Sequence, residues 1–161
     1  MIRSQGYYGE EVLSAYTSVD KAEEEVELAY AINRDGPKFL AEASKEVGAA
    51  ILHISTDYVF DGSGSQAFKE TDSTAPLSMY GTSKLLGEQR IIESGADHLI
   101  FRTSWVYSPG GKNFVGTMRR LFKEREEVKV VADQIGAPTY APHLAEATVA
   151  AITHAQNTEH F

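Results

Sequence analysis

Hydrophobic positions along the chain switch between helical and strand-like spacing. From about Ser18 to Val47 apolar residues recur at helical spacing, with Asp20 and Glu23 in the pattern of a capping box at the start. Pro37 is expected to divide or kink this segment, because proline has no N–H to donate. The run "AAILHIS", Ala49–Ser55, is short, apolar and rich in β-branched residues, which predicts a buried strand followed by a glycine-bearing loop.

The same pattern repeats in the second half of the chain. Ser78 is placed to cap a helix that runs to about Ser94, where Gly95 is a natural stop. Further predicted elements follow in the order strand, helix, strand: His98–Tyr107, Asn113–Glu126 and Val128–Asp133. Strands that alternate with helices predict an α/β fold, in which a parallel sheet has helices on both faces. Ligands of such sheets gather at the carboxyl ends of the strands.

Composition narrows the classes of function. The chain has 161 residues, the size of one domain spanning residues 1–161. Its net charge of -8 disfavours nucleic acid or an anionic membrane as the main partner. There are no cysteines, no apolar run of transmembrane length and no secretory signal pattern, so we expect a cytoplasmic protein. The five histidines show no metal-ligand spacing, so no metal site is expected.

The stretch "SMYGTSK" places Tyr80 four residues before Lys84, and residues four apart share one face of a helix. A nearby cation favours the phenolate, and a pKa shift of about one to three units from a reference near 10 brings Tyr80 toward acid–base range. Ser55 and Thr56 close the first strand, where a hydroxyl can bind the carbonyl that Tyr80 protonates. In a chain with eight tyrosines, about half a Tyr-x-x-x-Lys match is also expected by chance.

Separated motifs resemble those of one enzyme family. They are "AYTSVDKAEEEVELAYAINRDGPKFLAEA", "STDYVFDGSG", "PLSMYGTSKLLGE", "HLIFRTSWVY" and "DQIGAPTYA". In this order they resemble the extended short-chain dehydrogenase/reductases, and within them the dTDP-4-dehydrorhamnose reductases, over roughly residues 13 to 155. The resemblance implies a Rossmann-like three-layer fold. It also implies NADPH-dependent reduction of the 4-keto group of dTDP-4-dehydro-L-rhamnose to dTDP-L-rhamnose, with NADH as the other possible cofactor.

The resemblance also assigns roles to residues. Tyr80 is the proton donor, Lys84 is its electrostatic partner and a ribose ligand, and Thr56 orients the substrate carbonyl. Tyr16 and Thr17, at the end of a shortened strand remnant, are expected to line the cofactor together with Tyr80 and Lys84. The positions expected near the sugar nucleotide are Val19, Asp57, Tyr58 and Trp105. Trp105 is equally explained as a core aromatic and Asp57 as a brace for its loop. The run Glu23–Glu25 is interpreted as a solvated face.

The chain also departs from the family pattern. Its opening, "MIRSQGYYGEEVLSAYTS", has Gly6 and Gly9 but no apolar strand before them, so the glycine-rich cofactor turn is not recognised and these glycines are ascribed to chance. We therefore expect a partial domain, truncated at both ends relative to the family, with exposed apolar faces and a possible homodimer. The alternatives are a non-catalytic regulatory or binding module, an inactive fragment, and another nucleotide-sugar epimerase or dehydratase.

Overall fold

Alternation of helices and strands is the architecture that the computed structural model shows, over residues 2–4, 7–9, 15–64, 66–109 and 113–158. The chain divides into two units, one made of Met1–Ile51 with Tyr58–Ala96, the other of Leu52–Asp57 with Asp97–Phe161. The residues Gly6, Gly110, Gly111 and Lys112 of the two glycine-bearing stretches lie outside the described residues.

The first unit is mainly helical. Strands β1 (Ile2–Ser4) and β2 (Tyr7–Gly9) pair antiparallel, so Gly9 belongs to a strand. The helices of this unit, in chain order, are α1 (Val19–Ala22), α2 (Val26–Tyr30), α3 (Gly36–Glu46) and α4 (Met79–Ser94). Helix α4 packs against each of the other three.

The predicted helix from 18 to 47 is interrupted, as expected near Pro37. Between α2 and α3 the chain forms a π-helical turn, Ala31–Asp35, called the π-turn below. Pro37 cannot donate to the carbonyl of Asn33 four residues earlier, and its ring crowds that carbonyl. The wider π-helical spacing accommodates this conflict, and such turns are frequent at functional sites.

The capping box expected at the start of this segment is wrong. Ser18 is the N-cap residue of α1, and its side chain makes no capping hydrogen bond. The carboxylate of Glu23 instead accepts a hydrogen bond from the backbone N–H of Met79, at 2.7 Å. A tertiary partner has therefore replaced the local one that the spacing suggested.

The second unit carries the remaining strands. Strand β3 (Ile51–Thr56) pairs with β4 (His98–Thr103), and the hydroxyl of Thr103 donates to the carbonyl of Ser55 at 3.2 Å. Strand β5 (Val106–Tyr107) pairs in parallel with β6 (Thr139–Tyr140). Helices α5 (Phe114–Glu124) and α6 (Ala141–Thr158) complete it.

Two strand predictions need correction in this unit. The strand expected over His98–Tyr107 is divided, because Trp105 takes a positive φ of 47° that no regular strand contains. The strand expected over Val128–Asp133 does not form. Val130 and Val131 are 48% and 64% exposed, so its apolar side chains lack the buried face that would stabilise a strand.

Candidate active site

Helix α4 carries the Tyr80–Lys84 pair and begins and ends where the sequence predicts. The hydroxyl oxygen of Ser78 accepts a hydrogen bond from the N–H of Gly81 at 3.0 Å, which caps the first turn. At the other end Gly95 adopts the left-handed conformation, with φ at 66°. Both ends are fixed locally, so the register of Tyr80 and Lys84 on the helix is fixed as well.

Lys84 lies one turn after Tyr80 on the buried face of α4 and is only 5% exposed. Burial lowers the pKa of Lys84 to about 8, and the negative charge of Glu88 opposes this shift. A lysine with this pKa changes its charge close to neutral pH. It can therefore act as an electrostatic partner whose strength depends on pH.

Tyr80 stands among other aromatic side chains of the first unit. Its ring meets the ring of Tyr58 edge-on, with centroids 5.6 Å apart. It also packs against a buried cluster formed by Tyr16, Ala22 and Ala29. A Cβ on Gly81 would lie 2.2 Å from the carbonyl oxygen of Tyr58, so glycine is needed for the first turn of α4 to approach that backbone.

Asn33 of the π-turn connects the Tyr16 segment to α4. Its side-chain oxygen accepts from the N–H of Tyr16 at 3.0 Å, and its amide nitrogen donates to the carbonyl of Tyr16, also at 3.0 Å. The same nitrogen donates to the hydroxyl of Ser83 at 3.0 Å, and Ser83 donates to the carbonyl of Tyr80 at 2.8 Å. Since Asn33 is 2% exposed, these bonds are shielded from water.

The phenol of Tyr16 is occupied as well. It donates to the carboxylate of Glu25 at 2.6 Å, and this hydrogen bond raises the pKa of Tyr16 to about 12. Tyr16 is therefore held protonated, unlike a proton-transfer group. The segment 15–18 is irregular, and the strand remnant expected before it lies outside the described residues.

The solvated face expected for Glu23–Glu25 is only partly correct. The three residues are exposed, but the carboxylates of Glu23 and Glu25 hold Met79 and Tyr16 respectively. The other predicted ligand positions of the first unit are close in sequence to these contacts. Val19 begins α1 and is half-buried, while Thr17 is exposed.

The second unit contains Thr56, Asp57 and Trp105. Thr56 ends β3 and is buried, and its hydroxyl donates to the carboxylate of Asp57 at 3.2 Å. The ring of Trp105 is tilted against that of Phe114, with centroids 5.7 Å apart. A Cβ on Gly136 would lie 3.1 Å from the Trp105 ring. Trp105 is 37% exposed, so it is not a fully buried core aromatic.

The structure thus brings Tyr16, Tyr58, Tyr80 and Lys84 together in the first unit, which also contains Thr17 and Val19, and places Thr56, Asp57 and Trp105 in the second. The sequence reasoning missed Asn33, Ser83 and Glu88. A signal for Asn33 was available, because it follows Ala29 and precedes Pro37 and Ala41 at intervals of four, and all four positions are buried. A polar residue within an apolar helical stripe indicates a buried hydrogen-bonding role.

Over the ranges given above, no helix is long and apolar enough to cross a membrane. No group of three or more histidine, aspartate or glutamate residues in that part of the chain could hold a metal ion.

Comparison with known proteins identifies the family. Residues 12–161 match the model described as RmlD substrate binding domain. The chain belongs to the RmlD substrate binding domain family. Within this family it is 55% identical over 144 residues to the dTDP-4-dehydrorhamnose reductase of Escherichia coli K12, an alignment that covers 89% of the chain and 48% of the relative.

Solved structures of the family share the fold. A dTDP-4-dehydrorhamnose reductase from Clostridium acetobutylicum superposes with a TM-score of 0.84 and 46% identity, over 88% of this chain and 50% of that one. The enzyme from Bacillus anthracis, solved in complex with NADP, gives a TM-score of 0.82 and 49% identity, over the same shares. The Rossmann-like α/β prediction and the family resemblance are both confirmed. The chain spans about half the length of the relatives it matches.

Proposed function

We propose that this chain is the catalytic section of an NADPH-dependent reductase that converts dTDP-4-dehydro-L-rhamnose to dTDP-L-rhamnose. The observation that carries the proposal is the pair on α4, in which Tyr80 lies one turn before a buried Lys84 whose pKa is lowered to about 8. Family membership and the relatives named above support the choice of substrate and cofactor.

The residues supply proton transfer, and the cofactor, when bound, supplies a hydride to the carbonyl carbon. Tyr80 gives its phenolic proton to the carbonyl oxygen, which becomes the hydroxyl of the product. Lys84 in its ammonium form stabilises the phenolate left on Tyr80. The family motif supports a role for Thr56, at the carboxyl end of β3, in orienting the carbonyl, for which its hydroxyl would exchange Asp57 for the substrate as hydrogen-bond acceptor.

The residues proposed to line the cofactor differ in the groups that they can offer to a nucleotide. Lys84 offers a cation and donors suited to ribose hydroxyls. Tyr16 donates its backbone N–H to Asn33 and its phenol to Glu25, so both of its hydrogen-bond donors are engaged. We assign it the role of holding the neighbouring Thr17, which is exposed, in place beside the cofactor. We propose a cytoplasmic location, because the proposed substrate and cofactor are both soluble nucleotides.

The test compares Tyr80→Phe with Tyr30→Phe, a change on α2 outside the proposed site. We expect Tyr80→Phe to lower turnover by about 10²-fold or more, because it removes the proton donor, with NADPH affinity by calorimetry within about twofold of wild type. Tyr30→Phe should retain turnover. Full turnover by Tyr80→Phe would contradict the assignment, and a folded wild-type chain that binds neither NADPH nor dTDP would favour the non-catalytic module instead.

A further inference from the structure

Glu88 is a buried acid that the proposed reaction does not yet use. It is 2% exposed and lies one turn after Lys84, in the middle of α4. Glutamate is almost never fully buried in proteins unless its charge is paired, because removing a carboxylate from water costs several kcal/mol. The position of Glu88 therefore requires an explanation in terms of its surroundings.

Contacts with the π-turn fix the orientation of α4 within the first unit. Gly87, next to Glu88, lies so close to the π-turn that a Cβ would be 2.1 Å from the carbonyl oxygen of Asn33. Ser83, next to Lys84, is bonded to the side chain of Asn33. These contacts fix the rotation of α4 about its axis, and the residues next to them in sequence, Lys84 and Glu88, are both buried.

Helix stability does not account for the pair. In isolated helices the favourable order places glutamate before lysine, whereas here lysine comes first. The effect of Glu88 on Lys84 is instead electrostatic, since its charge works against the burial that lowers the pKa of Lys84. A carboxylate in a poorly hydrated position acts more strongly than one at the surface.

On the π-turn and the three other helices of the first unit, the charged groups form contacts of their own or are exposed. Arg34 pairs with Asp35 at 2.7 Å, and Lys38 pairs with Glu42 at 3.6 Å. Lys45 donates to the carbonyl of Ser94 at 2.7 Å. The remaining charged residues on α1, α2 and α3 are exposed: Asp20, Lys21, Glu27 and Glu46. On α4 itself, Tyr80 is the titratable group one turn before Lys84.

We propose that Glu88 is the buried counter-charge that keeps Lys84 in its ammonium form, and so keeps Lys84 able to stabilise the Tyr80 phenolate. Glu88 acts through Lys84 and is a positioning residue. The catalytic part of this inference rests on the proposed function, whereas the coupling between the two side chains does not.

The coupling is tested by titrating the Lys84 side chain, followed through its Cε resonance by NMR on the ¹³C-labelled chain. We expect Glu88→Gln to lower the midpoint of Lys84 by about one unit, because the change removes the opposite charge that favours the ammonium form. The matched control is Glu93→Gln, a change on the same helix at an exposed glutamate that pairs with Arg90. It should leave the midpoint of Lys84 unchanged.

A second measurement uses the wild-type chain, so it can be made even if Glu88→Gln does not fold. In the wild-type chain the Glu88 carboxyl carbon should shift with the same midpoint as Lys84, since coupled groups report each other's titration. A Glu88 resonance that does not respond at that pH, or a Lys84 midpoint that stays in place in folded Glu88→Gln, overturns the proposal.

A measurement of turnover tests the part of the inference that depends on the proposed function. Activity should fall as pH rises through the pKa of Lys84, and Glu88→Gln should move this fall to lower pH while Glu93→Gln does not. A pH profile of Glu88→Gln that matches wild type overturns the catalytic role of Glu88. If the wild-type chain shows no turnover, the proposed function fails, and the NMR titrations still decide the coupling.

Discussion

The side-chain amide of Asn33 donates to the hydroxyl of Ser83 over 3.0 Å and ties the π-turn to the helix of Tyr80 and Lys84. The same amide group satisfies both backbone groups of Tyr16. One buried side chain thus joins the segment expected beside the cofactor to the helix that carries the proton donor. Asn33 belongs to the π-turn, so the irregular helical geometry before Pro37 positions this side chain.

Asn33→Asp should destabilise the chain by about 3 kcal/mol, measured by urea unfolding. The change replaces an amide donor with an oxygen that faces the carbonyl of Tyr16, and it leaves buried acceptors without their donor. Asn157→Asp makes the same chemical change at an exposed position of α6 and should alter stability by less than about 0.5 kcal/mol. Equal effects of the two variants would show that the side-chain hydrogen bonds of Asn33 do not stabilise the folded chain.

Gly87→Ala tests the close contact between α4 and the π-turn. Alanine normally stabilises a helix interior, but here its Cβ would lie 2.1 Å from the carbonyl oxygen of Asn33, so we expect a loss of about 2 kcal/mol. Gly36→Ala is the control, because its Cβ would meet the carbonyl of Ala31 at an ordinary 3.7 Å. Thermal unfolding should show a lower midpoint for Gly87→Ala alone. A midpoint at or above wild type would exclude the close approach.

Local signals in the sequence predicted the helices well and the tertiary partners poorly. Ser78 and Gly95 mark the ends of α4 because capping and left-handed conformations depend on neighbouring residues only. The role of Glu23 was misread because its partner, Met79, is 56 residues away. The strand expected at 128–133 failed for the same reason, since a strand needs a partner and a buried face as well as β-branched residues.

The candidate site was predictable where its chemistry follows from the spacing of residues in the sequence. Tyr80 and Lys84 are four residues apart on a helix, and their shared face follows from helix geometry. Glu88 carries no such local signature, and its importance appears only when its burial is known. For Asn33 the sequence offers only its place in an apolar stripe, which does not reveal its partners. The hydrogen bond of the Tyr16 phenol could not be predicted from the sequence either, because its acceptor, Glu25, belongs to an acidic run that is interpreted as facing solvent.

Glu25→Gln should lower the pKa of Tyr16 from about 12 toward 10, by about one unit or more, because the hydrogen bond to the carboxylate is the largest cause of the raised value. The phenol is followed by its ultraviolet absorbance during titration, as the difference between each protein and its Tyr16→Phe counterpart. Glu24→Gln, at the neighbouring exposed acid, should have a much smaller effect. A difference titration that Glu25→Gln leaves in place would mean that the contact does not persist in solution.

The buried Lys84 should make stability rise with pH above neutrality. Its pKa is about 8 in the folded chain and 10.5 ordinarily, so between these values the unfolded state binds more protons. Stability therefore increases as pH rises through this window, by about 2 kcal/mol between pH 8 and 9.5. Urea unfolding across that range should show the rise in wild type and in the control Lys123→Met, an exposed lysine on α5, but not in Lys84→Met. A rise of equal slope in Lys84→Met would assign the effect to another group, and would remove the support that this titration gives to a pH-dependent partner for Tyr80.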